Sequence, residues 1–89
     1  MKYICTEDEK GKEEIFLFPS HIDHDAMAEG LEGFRNQTYG NWERLYRKPI
    51  SAGFIMLENG QLVCGGNSQS LDLKSRHKPD TELLNKQMQ

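Results

Sequence analysis

Cysteine is scarce in this 89-residue chain. There are two, Cys5 and Cys64, and neither stands in a Cys-x-x-Cys spacing. A structural zinc site or a thioredoxin-type redox motif therefore has no support. Two lone cysteines in a reducing compartment are expected to be buried thiols that act as small hydrophobes. Long apolar runs are also missing, and none approaches the ~18 residues of a membrane helix. The opening MKYICTEDEKGK carries lysine but no apolar core of a signal peptide, so a cytoplasmic protein with no membrane partner is expected. No Gly-x-x-x-x-Gly-Lys or Gly-x-Gly-x-x-Gly loop is present, and Gly65-Gly66 reads as a turn. Ser20, Ser51, Ser68, Ser70 and Ser75 lack the Gly-x-Ser-x-Gly context of a nucleophile elbow. The expectation is a non-enzymatic protein with no cofactor.

What remains is ordinary for a small folded domain. Charged residues make up 28% of the chain and the net charge is −3, which favours a folded soluble protein over disorder. A chain of this length forms one domain, spanning residues 1–89, with a modest core that leaves room for homodimerisation. The charge is uneven. Residues 1–32 carry −6 and residues 33–89 carry +3, which fits either two faces of one fold or charges that intersperse in space.

The longest apolar stretch is SAGFIMLENGQLVCGG, residues 51–66, split by Asn59-Gly60. Asn-Gly between strand-like runs is a strong hairpin signal, because a type I′ turn needs positive φ at both central residues. That turn sets Leu57 against Leu62 and Ile55 against Cys64 on a wholly apolar face, which reads as core. Glu58–Gln61, Met56–Val63 and Phe54–Gly65 make a mixed opposite face. KYICT (residues 2–6) and EIFLF (14–18) read as two more strands around a polar loop with Gly11. Asp23 is placed to cap a helix from His24 to Arg35, with Met27, Leu31 and Phe34 on one stripe. Gly30 and Gly33 each weaken that helix by about 1 kcal/mol relative to Ala, so it depends on the sheet. Asn36–Trp42 reads as a loop. Residues 42–50 fit either one helical turn or an extended edge segment that tolerates Pro49. SQSLDL (68–73) could form a fifth strand, and KSRHK (74–78) a basic linker. A short helix, Asp80 to about Met88, follows Pro79. The predicted architecture is α+β. An antiparallel sheet of about four strands, from two hairpins, packs on one main helix, with the short C-terminal helix peripheral or exchanged in a dimer.

Two clusters could carry function. His21, Asp23, His24 and Asp25 are dense in metal-ligating groups, but a helix cap with solvated neighbours is the favoured reading, and no metal site is expected. Arg35, Tyr39, Trp42, Arg44, Tyr46, Arg47 and Lys48 interleave aromatics with bases. That composition suits a protein interface or stacking on nucleic acid, but the favoured reading is that Trp42 and Tyr46 complete a small core with the bases around it. The acidic net charge lowers the nucleic-acid reading, since phosphate affinity is largely electrostatic.

The chain also resembles small uncharacterised proteins of tailed bacteriophages and prophages. The likeness rests on KYICTEDEKGKEEIFLFP, HDAMAEGLEGF, SAGFI and SLDLKSRHKPDTELL. It implies an accessory protein of the bacterial cytoplasm that binds a host or phage protein and modulates a host protein or a defence system. It carries no functional residue with it.

Overall fold

The computed structural model describes residues 1–32, 35–38, 41–44 and 48–89, with side chains at 1–28 and 48–89. The main sheet has four antiparallel strands, β1 (Lys2–Glu7), β2 (Glu13–Phe18), β5 (Lys48–Glu58) and β6 (Gln61–Gly65), in the order β2-β1-β5-β6. Helix α1 (His24–Glu32) and a ribbon, β3 (Arg35–Thr38) with β4 (Asn41–Arg44), lie between β2 and β5 in the chain. After β6 come a two-residue pair, β7 (Asn67–Ser68) with β8 (Leu73–Lys74), and helix α2 (His77–Gln87).

Both hairpins form as the alternation of apolar residues requires. Asn59 (φ 51°) and Gly60 (φ 79°) take the left-handed conformation of the turn. The register pairs Leu57 with Leu62, Ile55 with Cys64, Met56 with Val63, and Phe54 with Gly65. In the first hairpin Cys5 pairs with Ile15 and Tyr3 with Leu17. The ambiguous stretch before the second hairpin resolves as strand from Lys48. Pro49 stands opposite Thr6 and Ser51 opposite Cys5, so Ile50 is an extra residue bulged between them. Strand β6 pairs only with Phe54–Glu58, so β6 does not flank Pro49 and the missing N–H costs no ladder bond there.

Alternation gives the sheet two cores. On one face Tyr3, Cys5, Ile15, Cys64 and Leu84 are buried together. On the other, Ile4, Phe18, Ala28 and Ala52 pack with Ile22, Met27, Leu71 and Leu73. The first face is covered by α2, which contacts β6 and β2, the two outer strands. Eleven residues of helix span about 16 Å, close to the roughly 14 Å between the outer strands of a four-stranded sheet. Helix α2 therefore crosses the sheet from edge to edge.

Several expectations need correction. Among the described residues no single helix dominates: α1 runs over nine residues, and α2 is longer and fills its own core. Helix α2 is not peripheral, because Leu84 and Asp80 are fully enclosed. It also starts earlier than expected, at His77, since Asp80 reaches back to accept the Arg76 backbone N–H at 3.0 Å and satisfies a donor that the helix leaves open. Pro79 then sits within the first turn, where its lack of an N–H is harmless. Arg35 is in a strand rather than at a helix end, and Asn36–Trp42 contributes to both β3 and β4 rather than a plain loop. The SQSLDL segment does not join the main sheet. Its ends form the separate β7–β8 pair, with Asp72 at φ 53° between them.

Candidate functional site

The basic and aromatic residues fall in different parts of the fold. Arg35 stands opposite Arg44, and Trp42 opposite Gln37, in the β3–β4 ribbon. Tyr39, Tyr46 and Arg47 lie outside the described residues. Lys48 opens β5 of the main sheet, exposed and opposite Glu7. The ribbon thus brings Arg35, Trp42 and Arg44 together in sequence register, while Lys48 belongs to another sheet.

Two of the three histidines, His24 and His77, are structural. His24 is buried, and its Nε2 lies 2.9 Å from the Gly53 carbonyl oxygen, so the bond requires the proton on Nε2. Its ring stands edge-on to Phe18 and Phe54 at 5.3 and 5.7 Å. His21 is exposed. Among the described residues no three potential ligands gather around a metal-sized space. His77 Nδ1 donates to the Cys64 carbonyl at 2.6 Å, a bond that ties α2 to β6.

A buried polar cluster joins α2 to the middle of the sheet. The Asp80 carboxylate accepts from the Tyr3 hydroxyl at 2.6 Å and from Arg76 Nη2 and Nε at 2.8 and 3.1 Å. Arg76 also pairs with Glu13 on β2 and lies 3.5 Å from the Cys5 sulfur. The Tyr3 hydroxyl lies 2.7 Å from Ser75 Oγ. Burial, reinforced by the neighbouring Asp80 charge, pushes the Cys5 and Cys64 thiols up to about 11. The same two causes push the Tyr3 phenol well above its ordinary value. Burial alone would lower the Arg76 pKa, but Glu13 and Asp80 outweigh it and hold the guanidinium charged. The Ser51 hydroxyl lies near enough to Cys5 to favour its thiolate slightly, yet it makes no hydrogen bond of ordinary geometry. Both thiols and the phenol thus stay protonated at neutral pH. The cluster is a clamp between helix and sheet.

The unusual surface is the tip of the second hairpin. Strand β5 runs eleven residues and β1 six, and their pairing stops at Phe54. Beyond that row β5 and β6 continue as a two-stranded arm. Leu57 is 73% exposed, Met56 46% and Phe54 40%. Leu57 points to the same face as Ile55, so the face expected to be core is buried at Cys64 and open at Leu57. The strand-like run 51–66 is longer than 2–6 or 14–18 in the sequence, but where β1 stops pairing is set by the tertiary structure. At the base of the arm, Phe54 borders a cleft of about 550 Å³ lined also by Lys2, Asp23, His24, Asn67 and Ser70. Lys2 Nζ there donates to the Ile22 carbonyl at 2.9 Å and lies 3.8 Å from Asp23, so its charge is already met. No described helix is long and apolar enough to cross a membrane. Comparison with protein-family models, curated proteins and solved structures finds no match to this chain.

Proposed function

We propose that this chain is a non-enzymatic protein-interaction module whose contact surface is the β5–β6 arm. The observation that carries the reading is the exposure of Phe54, Met56 and Leu57 on a hairpin that extends past its sheet. Phe54 and Met56 lie on one face of the arm and Leu57 on the other, and such exposed side chains gain stability when a partner covers them. The high pKa of both thiols and the structural engagement of His24 and His77 support a non-catalytic role. The likeness to phage and prophage proteins suggests that the partner is a host or phage protein in the bacterial cytoplasm.

The test compares wild type with a Met56→Asp/Leu57→Asp double variant as affinity baits in bacterial lysate, with and without nuclease. The expected result is a discrete protein retained by wild type and lost by the variant, with unchanged circular dichroism. Equal capture by both baits would remove the arm as the contact surface. Capture that depends on nucleic acid would instead favour the β3–β4 ribbon, where Arg35, Trp42 and Arg44 stand in register.

A further inference from the structure

Edge strands expose backbone groups that recruit other strands, and folded proteins cover or block them. Here α2 covers them with side chains. On β6 the Cys64 N–H donates to Thr81 Oγ1 at 3.0 Å, and His77 meets the Cys64 carbonyl. On β2 a single side chain does both tasks. The Ile15 N–H donates to Gln87 Oε1 at 2.7 Å, and Gln87 Nε2 donates to the Ile15 carbonyl at 3.1 Å. The Gln87 carboxamide thus makes the pair of bonds that one residue of a neighbouring strand would make.

The two edges differ in how firmly they are closed. His77 and Thr81 flank Asp80, which is anchored to Tyr3 and Arg76. Gln87 is the last residue of α2, and its side chain can swing away without moving the helix. Beside it lies a cleft of about 520 Å³ with Leu83, Lys12, Glu13 and Lys86 on its walls. By alternation Leu17 directs its N–H and C=O the same way as Ile15, and its side chain is 39% exposed.

We propose that the β2 edge is a strand-addition site for an extended segment of a partner polypeptide, and that Gln87 is the stand-in for that segment. The incoming backbone replaces the carboxamide on Ile15 and continues the ladder to Leu17. The residue placed opposite Ile15 directs its side chain into the cleft toward Leu83. The residue two positions along covers Leu17. The segment that fits is short and extended, with apolar side chains at i and i+2. Glu13 is already paired with Arg76, so Lys12 and Lys86 outweigh Glu14 at the rim and the site favours a neutral or weakly acidic segment. This surface lies on the sheet edge opposite the arm, so it is a second contact independent of Phe54–Leu57.

The test titrates an acetylated and amidated Thr-Val-Ser-Val-Thr peptide into the full ¹⁵N-labelled chain. The expected result is movement of the Ile15 and Leu17 amide resonances and slower hydrogen exchange at Leu17. Gln87→Ala removes the competing cap and should tighten binding roughly tenfold, the scale of one or two net hydrogen bonds. The same peptide with N-methyl groups on the amides that face β2 should not bind. If Gln87→Ala loses its native circular dichroism, Gln87→Glu serves in its place, since it keeps the acceptor for Ile15 N–H and loses the donor. Resonance changes confined to residues 54–63 would overturn the edge assignment and leave the arm standing. Absence of any change at millimolar peptide, in wild type and variant alike, would also overturn it.

Discussion

Asp80 shows how one residue can decide the placement of an element. Its carboxylate is fully buried, yet it serves the Tyr3 hydroxyl, the Arg76 side chain and the Arg76 backbone N–H at once. Removing it would leave Arg76 partly buried beside Glu13 alone and Tyr3 short of an acceptor. Asp80→Ala is expected to destabilise the protein by about 3 kcal/mol, the cost of breaking a buried pair. Asp80→Asn should cost less, because the amide still accepts from Tyr3. Urea denaturation of both variants checks the order. The cysteines give a second prediction at this scale. Cys5 and Cys64 are buried, with pKa values near 11, so alkylation at pH 8 should be negligible in the native state. It should become fast in urea, with a rate that tracks unfolding. Rapid alkylation of either thiol under native conditions, followed by mass spectrometry, would contradict this placement.

At the scale of elements, α2 and the arm are opposites. Helix α2 is short and polar in sequence, but Leu84 is sealed between it and the sheet. Leu84→Ala should cost about 2–5 kcal/mol through lost burial and the cavity left behind. Leu57 is the same residue type at the exposed end of the arm, and Leu57→Ala should change stability by less than about 0.5 kcal/mol. Equal midpoints for the two variants in urea would mean that the arm is packed after all. Close approach constrains the sheet as well. A Cβ on Gly53 would come within 2.2 Å of the Gly65 carbonyl oxygen, so Gly53→Ala should force β5 and β6 apart and cost about 1–3 kcal/mol.

For the molecule as a whole, the buried acids set the alkaline limit of stability. Both thiols titrate near 9 when exposed and near 11 when folded, and Tyr3 shifts in the same direction. Above pH 9 the unfolded chain releases protons that the native chain keeps, so rising pH favours unfolding. Stability is fully present below pH 9 and falls as pH climbs towards 11, by up to about 1.4 kcal/mol per pH unit for each thiol. Thermal unfolding at pH 8, 9.5 and 10.5 should show a declining midpoint. Cys64→Ala should shallow that decline, and a flat profile in wild type would contradict the burial of these groups.

Local chemistry was sufficient for both hairpins. Asn59-Gly60 fixed its turn and so every cross-strand pair from Phe54 to Gly65, because a two-residue turn leaves one register. The strand character of residues 2–6 and 14–18, and the existence of a last helix near Pro79, were legible for the same reason. Each depends on neighbours a few residues away. The candidate surfaces were less legible. Exposure of Leu57 follows from where β1 ends, and the role of Gln87 follows from α2 lying across the sheet. Neither distance along the chain nor residue type encodes that crossing: Ile15 and Gln87 are 72 residues apart. The polar cluster likewise joins Tyr3 to Asp80 over 77 residues. Sequence periodicity reports which residues share a face of one element. Which faces meet, and which apolar residues remain uncovered, depends on the lengths and packing of several elements at once, and only the tertiary structure decides it.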